Sequence, residues 1–447
     1  MTSRKPQAAA GVPYFTPANN AGVPIASQDE GKPVPTVFQP IKIRDVTLRN
    51  RFVVSPMCMY SCEGDPSSPA VGAMNDYHLV HLGHLALKGA GLIIVEATAV
   101  TPNGRISPWD VGLWGDENSE QFKGLKRVVE FAHSQGAKVA VQLAHAGRKA
   151  STLAPYVAAH FGVRSLRAEK EDFGWPEDVV APSGGEKFTW ETVDESEPRK
   201  PYHPPRELTR EEIADLVRAF AKAARTAVRA GVDVIEVHGA HGYLITEFLS
   251  PVTNRRTDEY GGSFENRTRF LREVLTAVRA ELPEGMPLFL RVSSTEWLEG
   301  TDAEKEAGSS WTVEDTIRLA KELPSLGVDL LDVSSGGNHP QQRIDPFGNY
   351  QIDIAARVRK ELRAAGINNL FIGAVGGITT ASQARDIVEG ANIKEEAAAA
   401  EAAVSGPEPK ADVILVARQF LRDSAWVLNV AKELGVKVAP PHQYGRA

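Results

Sequence analysis

The sequence predicts an α/β protein in which eight parallel strands, alternating with helices, close into a (β/α)8 barrel. Short apolar runs recur eight times along the chain, and amphipathic segments of helical period lie between them. Near-continuous apolarity is typical of strands buried on both faces, as in a parallel sheet. The alternative, an open doubly wound sheet, lacks the glycine-rich fingerprint GxGxxG after its first strand. A length of 447 residues suits a barrel with insertions.

The predicted strands are the apolar runs at 51–56, 91–97, 138–144, 232–238, 287–293, 328–334, 370–375 and 412–417. Several of the intervening helical segments begin with Ser or Thr followed by Glu or Asp, which is the usual helix start. These starts are Ser119, Thr209, Ser263 and Thr312. Several segments end in glycine just before the next strand, as a C-cap should.

Composition excludes several classes of protein. A net charge of −7 argues against a nucleic-acid partner, and no apolar run approaches the ~20 residues of a membrane span. Only two cysteines occur, Cys58 and Cys62, and they lack CxxC spacing. This argues against a disulfide scaffold, an iron–sulfur cluster and a cysteine-rich zinc site. We therefore expect a cytoplasmic protein.

Three segments fall outside the repeating strand–helix pattern. Residues 1–36 contain basic residues but no apolar h-region, so we interpret them as a flexible N-terminal arm before a barrel at 37–447. Residues 150–208, rich in Pro, Trp and acidic side chains, predict a capping or lid element after strand three, with a disordered insertion as the alternative. The Ala/Glu-rich segment 391–411 predicts a low-complexity surface helix or disorder.

The C-terminal ends of the strands form the active site of such a barrel. In chain order they carry Ser55, Pro56, Met57, Cys58, Glu96, Ala97, Gln142, His145, His238, His241, Tyr243, Arg291, Ser334, Gly336, Gly337, Gly376, Gly377 and Arg418. So many converging polar groups and glycines indicate a ligand site.

The glycine pairs after strands six and seven, with Arg418 at the start of the last helix pattern, are typical of a phosphate-binding corner. Tight turns are the alternative explanation for the glycines. Gln142 and Arg291 suit a ring with amide-like edges and a site of negative charge. Flavin mononucleotide offers a phosphate, a uracil-like edge and an N1 that becomes anionic on reduction.

The stretch "EVHGAHGY" places His238 and His241 three residues apart and Tyr243 two further on. A metal site needs a third ligand, which His145 or Glu96 could supply. A strand-end histidine can also be a satisfied core residue. Facing a flavin, the two imidazoles suit another task, because their N–H groups can polarise a carbonyl oxygen as an oxyanion hole does.

Four stretches carry a family resemblance: "SPMCMYS", "QLAHAGRKA", "HGAHGYLITEFLSPVTNRRTDEYGGSFENRTRF" and "LRD" after the last strand. From about residue 37 to the C-terminus the chain resembles the old yellow enzyme family of FMN-dependent ene-reductases. The paired histidines, and a cysteine in the first motif where classical members have threonine, resemble its thermophilic-like class III branch.

The resemblance implies a role for each matching residue. The residues implied to hold FMN are Ser55, Pro56, Met57, Cys58, Ala97, Gln142, Arg291, Gly337, Gly376, Gly377, Ala417 and Arg418. The substrate's oxygen would meet His238 and His241 with help from Tyr60, and Tyr243 would donate the proton. Cys58 would modulate the flavin; a small buried hydrophobe is its alternative reading, and a pocket wall is that of Tyr60.

The activity implied is a ping-pong reduction of the activated C=C bond of α,β-unsaturated carbonyl or nitro compounds by NADPH or NADH. The C-terminal "QYGR" matches a segment that, in the class III branch, sends an arginine into the neighbouring subunit. We therefore expect a homodimer or homotetramer with Arg446 contributed in trans, although a frayed tail is the ordinary alternative. The competing function is a metal-dependent barrel hydrolase or lyase that uses His238, His241 and His145.

Three departures from the family pattern bear on these expectations. Ala417 stands where relatives commonly have glycine before the phosphate-binding arginine. The insertion at 391–411 is unusual, and we expect the long segment at 150–208 to reshape the pocket mouth. These departures bear on substrate preference more than on chemistry.

Overall fold

A computed structural model describes residues 7–28, 33–190, 200–345, 348–390 and 408–446. Its strands in chain order are β1 (Ile41–Ile43), β2 (Val46–Leu48), β3 (Phe52–Val54), β4 (Leu92–Ala99), β5 (Lys138–Ala144), β6 (Val180–Ala181), β7 (Arg206–Glu207), β8 (Val234–Gly239), β9 (Leu288–Ser293), β10 (Leu330–Ser334), β11 (Phe371–Val375) and β12 (Val413–Val416). The eight strands β3, β4, β5, β8, β9, β10, β11 and β12 form a closed barrel with parallel pairing throughout. Each overlaps one predicted strand, so the predicted (β/α)8 fold is confirmed.

The α-helices in chain order are α1 (Asp76–Leu87), α2 (Glu120–Ser134), α3 (Pro155–His160), α4 (Arg210–Ala230), α5 (Leu244–Leu249), α6 (Phe264–Glu281), α7 (Asp302–Ala307), α8 (Val313–Ala320), α9 (Tyr350–Ala364), α10 (Ala381–Glu389), α11 (Arg418–Arg422) and α12 (Trp426–Glu433). The predicted starts are confirmed: the side chains of Ser119, Thr209, Ser263 and Thr312 cap α2, α4, α6 and α8. Each accepts a backbone N–H that the first helical turn leaves unpaired. No helix in the described ranges combines the length and apolar character that a membrane crossing requires.

Alternate residues of the strands fill the barrel interior, and the β1–β2 hairpin closes the N-terminal end of the barrel. Ile41, Ile43 and Leu48 of the hairpin pack in one apolar cluster with strand residues such as Val53 and Phe289. Neighbouring positions, including Phe52, point outward into the larger cluster between the strands and the helices. The hairpin lies at the N-terminal ends of the strands, so the opposite end is left for a ligand.

Part of the segment predicted as a flexible arm, residues 1–36, pairs with the C-terminal part of the chain. The backbone N–H groups of Gly22 and Ile25 donate to the carbonyls of Ala439 and Lys437, both at 3.0 Å. Ala439 in turn donates to the carbonyl of Val23 at 2.8 Å. Over 22–25 the backbone pairs with a distant stretch of the chain, which no local pattern reveals, and the flexibility of the arm stays a prediction. Residues 1–6 and 29–32 lie outside the described residues.

The segment at 150–208 contains α3 and the short parallel ladder of β6 and β7, in which Val180 pairs with Arg206. Residues 191–199 of this segment lie outside the described residues. The same is true of residues 391–407, and therefore of most of the predicted low-complexity segment.

Candidate active site

Two histidines and a tyrosine come together at the C-terminal end of β8. His238 lies within the strand, His241 follows it in the left-handed region with φ of +63°, and Tyr243 precedes α5. The His238 ring centroid lies 5.3 Å from that of His241 and 5.1 Å from that of Tyr243. Gly242 is required between them, because a Cβ there would lie 2.1 Å from the carbonyl oxygen of Gly337.

Both imidazoles are neutral at physiological pH. Burial, followed by the positive charge of Arg291, holds the pKa of His238 and of His241 well below the ordinary value. His241 Nε2 lies 2.7 Å from the hydroxyl of Ser334. His238 Nδ1 is buried and has no hydrogen-bond partner among the described residues. Burial also raises the pKa of Tyr243, so this side chain keeps its phenolic proton.

Lys149 is a site residue that the strand-end reasoning missed. Its ammonium donates to the carbonyl oxygen of His241 at 2.8 Å and also to that of Gly337. It lies over the rings of Trp190 and Tyr243, 4.3 and 5.5 Å from their centroids. The available signal was its position within "QLAHAGRKA", directly after the third barrel strand.

The loop after β3 brings Cys58 and Tyr60 to the same end of the barrel. Burial, followed by the charges of Asp110 and Glu96, raises the pKa of the Cys58 thiol. Tyr60 has a positive φ of +51°, and its carbonyl accepts a hydrogen bond from the Tyr156 hydroxyl at 2.8 Å. Since Tyr156 belongs to the segment at 150–208, that segment reaches over the catalytic end.

The centre of the barrel holds Gln142 and Arg291, each anchored by a carboxyl group. The Gln142 amide donates to Glu236 Oε1 at 2.8 Å, and Arg291 Nε lies 3.1 Å from Asp332 Oδ2. Arg291 also donates to the hydroxyl of Ser55 at 3.2 Å. Glu236 and Asp332 were missed as site residues, although both acids stand inside the apolar strand patterns "VIEV" and "LLDV". Such anchors fix which way the amide and the guanidinium face.

The predicted phosphate corner is open at Gly377 and Arg418, whereas a Cβ on Gly376 would lie 2.4 Å from the side-chain amide nitrogen of Gln351. Gly376 and Gly377 have φ of +109° and +67°, and a Cβ on Gly377 would meet only a carbonyl oxygen at 3.9 Å. Arg418 is exposed at the start of α11 and makes no ion pair with the described residues. Ala417 has a negative φ of −106°, so the alanine needs no glycine-like freedom.

Gly337 differs from the other residues of this corner. Its N–H donates to Gln342 Oε1 at 2.6 Å, so in this arrangement the donor already has a partner. A Cβ on Gly337 would lie 2.6 Å from the Cα of His241. The glycine is therefore required by the close approach of two loops, whatever ligand the corner receives.

The metal alternative gains no support from the geometry. Across the ranges that the structure describes, no three His, Cys, Asp or Glu side chains form a group that could hold a metal ion. His145 Nδ1 accepts the N–H of Gly147 at 3.0 Å, and burial lowers the pKa of His145 to about 3.

Comparison with known proteins agrees with this geometry. The sequence profile of the NADH:flavin oxidoreductase / NADH oxidase family matches residues 36–436. An NADH:flavin oxidoreductase of Gibberella zeae is 43% identical over 439 residues, which cover 98% of this chain and 94% of the relative. The chain belongs to this family. As a member of the NADH:flavin oxidoreductase family it is an FMN-dependent oxidoreductase that uses NADPH or NADH, and the predicted old yellow enzyme resemblance is confirmed.

Two further known proteins are similar to this chain over most of its length. An NADPH dehydrogenase of Geobacillus thermodenitrificans is 40% identical over 410 residues, covering 92% of this chain and 98% of the relative. The solved structure of morphinone reductase superimposes with a TM-score of 0.64 at 25% identity and covers 91% of each chain. These similarities thus extend over nearly the whole barrel.

The residues present fit FMN. The barrel centre offers the cation of Arg291, which suits a ring nitrogen that becomes anionic, and the amide of Gln142 for a polar ring edge. The open space at Gly377 and the exposed Arg418 suit a phosphate. Anionic and amide-like parts of one ligand therefore find complementary groups in one barrel mouth.

Proposed function

We propose that the enzyme reduces the activated C=C bond of α,β-unsaturated carbonyl or nitro compounds with NADPH or NADH by a ping-pong mechanism. The observation that carries the proposal is the cluster of His238, His241 and Tyr243, with neutral imidazoles and a protonated phenol. Such a cluster can bind an electron-rich oxygen and supply a proton beside it. It is embedded in a family of flavin oxidoreductases.

When bound, FMN supplies hydride transfer, from the nicotinamide in one half-reaction and to the β-carbon of the alkene in the other. The residues that would hold it are Ser55, Pro56, Met57, Cys58, Ala97, Gln142, Arg291, Gly337, Gly376, Gly377, Ala417 and Arg418. Arg291 would carry positive charge to the N1 and O2 edge, and Arg418 would meet the phosphate. One barrel mouth would serve both half-reactions, which is why we propose ping-pong kinetics.

The histidines would act on the substrate's carbonyl or nitro oxygen. As hydride reaches the β-carbon, negative charge develops on that oxygen, and N–H donors of His238 and His241 stabilise it. Neutral imidazoles suit this role, because an imidazole N–H can donate a hydrogen bond without carrying a net charge. Lys149 orients the loop from behind through the carbonyl of His241.

Tyr243 would transfer its hydroxyl proton to the α-carbon, completing the addition of hydride and proton across the double bond. The raised pKa of Tyr243 keeps the proton in place until carbanion character develops. Tyr60 would line the substrate pocket, and Cys58 would contact the flavin and modulate it. Lys149 lies over the Tyr243 ring, and its positive charge favours the phenolate left after proton transfer.

Arg446 would complete the active site of a second copy in a homodimer or homotetramer. The preceding segment pairs with residues 22–25, and Gln443 donates to Thr16 at 3.3 Å. The side chain of Asn19, beside this N-terminal segment, lies 3.5 Å from that of Gln135, just before β5. The C-terminal tail therefore lies near the N-terminal ends of the strands, opposite the catalytic end of the same barrel. A guanidinium delivered from there suits a neighbour's pocket.

Phenol binding tests the proposal. Phenols should bind to the FMN-loaded enzyme as phenolates and give a long-wavelength charge-transfer band. Replacing either histidine, as His238→Ala or His241→Ala, should weaken phenol binding by about 2–4 kcal/mol while FMN content stays intact.

His145→Gln is the matched control, since His145 is as buried as His238 but its Nδ1 accepts the N–H of Gly147. It should leave phenol binding unchanged. Purified protein that contains stoichiometric zinc or iron and no flavin would sink the proposal.

A further inference from the structure

Strand β4 contains a β-bulge beside the loop after β3, the loop that carries Cys58 and Met59. Val95 pairs with Val141 and Thr98 pairs with Leu143, so two residues of β4 oppose the single Gln142 of β5. Those two residues are Glu96 and Ala97. A β-bulge bends its strand and re-aims side chains, and bulges are common beside active sites.

The bulge joins β4 to the loop that carries Cys58. Glu96 Oε1 accepts the backbone N–H of Met59 at 3.0 Å. A backbone hydrogen bond from Ala97 acts on the Cys58 thiol and opposes the rise that burial causes in its pKa. Two consecutive residues of the bulge therefore hold two consecutive residues of the loop.

The second oxygen of Glu96 faces helix α1. Glu96 Oε2 lies 3.8 Å from His78 Nε2, and the same nitrogen lies 3.8 Å from Cys62 Sγ. His78 Nδ1 lies 3.2 Å from the backbone N–H of Asn75 and 3.1 Å from the side-chain oxygen of Asn75. Glu96 is only 2% exposed, and its Oε2 has no hydrogen-bond partner among the described residues.

Glu96 and His78 do not form an ion pair at neutral pH. Burial lowers the pKa of His78 to about 4 and raises the pKa of Glu96 to about 8. The other charged or titratable groups that act on Glu96, His78 and the adjoining thiols are Cys58, Tyr60, Cys62, His81, Arg105 and Asp110. Burial raises the pKa of Asp110 to about 6, so this carboxyl ionises at a lower pH than Glu96 does.

We propose that Glu96 is a positioning residue for the cofactor. It holds the Cys58 loop through the N–H of Met59, and loss of the proton from Oε2 to solvent places a negative charge behind the flavin-facing thiol. That charge disfavours added negative charge on the flavin, so the reduction potential falls as Glu96 ionises. The inference rests on the role of the Cys58 loop in the proposed function and adds a residue that holds this loop and carries charge beside it.

The test is a pH titration of the oxidised, FMN-loaded enzyme, followed by the flavin absorption difference spectrum and by the midpoint potential. The wild-type enzyme should show a spectral transition centred near pH 8, the pKa of Glu96. Glu96→Gln keeps an oxygen for the N–H of Met59 and should abolish the transition without loss of FMN. Above pH 8 the variant should have the higher potential.

Two controls assign the transition. Cys58→Ser removes the thiol and Asp110→Asn removes the other buried carboxyl; both should retain the transition. Absence of the transition in the wild type, its persistence in Glu96→Gln or its loss in Cys58→Ser would each overturn the proposal.

Thermal unfolding gives an independent readout. The folded pKa of Glu96 lies above the unfolded value of about 4.3, so its stabilising contribution is complete below that value and is lost as pH rises to about 8. The Tm of Glu96→Gln relative to wild type should therefore rise through this window and level off above it. A flat Tm difference would overturn the titration, whereas failure to reduce any alkene would count against the proposed function alone.

Discussion

The two ends of the barrel pair their acidic side chains differently. At the N-terminal end, Asp233, Asp329 and Asp412 stand directly before β8, β10 and β12. Their carboxylates accept the backbone N–H groups of Val139, Leu288 and Ile372 on the neighbouring strands at 2.9, 2.9 and 2.8 Å. Each also has a cation nearby, in Lys138, Arg44 and Arg359 respectively.

At the C-terminal end, Glu96, Glu236, Glu247 and Asp332 are all buried, and each has an oxygen without a hydrogen-bond partner among the described residues. Burial raises the pKa of each of these carboxyls. At the N-terminal end the carboxylates bridge neighbouring strands. At the C-terminal end each of the four acids keeps an oxygen without a hydrogen-bond partner among the described residues, although Glu236 and Asp332 also anchor Gln142 and Arg291.

The largest expected effect separates catalysis from folding at the C-terminal end. Tyr243→Phe should lower the rate of alkene reduction by about 10²-fold or more, because the proton donor is lost. Flavin reduction by the nicotinamide should stay near normal, and so should Tm. Stopped-flow measurement of the two half-reactions checks this. Equal damage to both would indicate a positioning role, and weak damage to both would mean that solvent supplies the proton.

The second prediction concerns an unsatisfied acid at the same end. Glu247 Oε1 accepts the N–H of Arg148 at 2.9 Å, and burial raises the pKa of Glu247 to about 8. Because the folded pKa exceeds the unfolded one, the stabilising contribution of Glu247 falls as pH rises from about 4.3 to about 8. Between those two values Glu247→Gln should gain about 1.4 kcal/mol relative to wild type for each pH unit. Urea unfolding at pH 5, 6.5 and 8 measures it; a constant difference would contradict it.

The third prediction concerns a satisfied acid at the opposite end. Burial alone would raise the pKa of Asp233, but hydrogen bonds and charge from His133 and Lys138 hold it below the ordinary value. Asp233→Asn should therefore cost about 1–2 kcal/mol of unfolding free energy at pH 7 and leave the activity of the folded enzyme unchanged.

The cost of Asp233→Asn should shrink as pH falls below the unfolded pKa of about 4, and it should vanish below the lowered pKa of the folded protein, where the wild-type carboxylate is protonated. Asp353→Asn is the control, because Asp353 pairs with Lys410 at the surface and should matter by less than about 0.5 kcal/mol. Equal costs for the two variants would remove the distinction between the ends.

The last prediction, with the smallest effect, concerns the C-terminal tail, which we propose reaches the catalytic end of the barrel in a second subunit. Removing residues 444–447 should raise the Michaelis constant for alkene or nicotinamide several-fold, with the barrel still folded and yellow. Sedimentation should give at least a dimer for the full chain. Lys432→Ala, which removes an exposed cation from α12, is the control. An active monomer, or unchanged kinetics after the truncation, would refute delivery of Arg446 in trans.

The residues at the strand ends predicted where the candidate site lies, but they did not predict the hydrogen bonds within it. His238, His241 and Tyr243 were predicted to act together, and their rings do meet. Lys149 was missed because it follows a strand by several residues and reaches back across the loop. Gly337 was assigned to a phosphate, yet its N–H donates to Gln342, a partner that becomes visible only once the loop is folded.

Apolar periodicity, capping residues and contiguous motifs are local along the chain, so they were enough to predict the eight-stranded barrel, the helix starts and the family. Tertiary contacts decided instead which carboxyl oxygens have hydrogen-bond partners and which do not. They also decided that the segment at 22–25 pairs with 437–439, and that a bulge turns Glu96 toward Met59. These outcomes depend on hydrogen bonds between segments far apart in sequence, and a hydrogen-bond partner is selected by position in space.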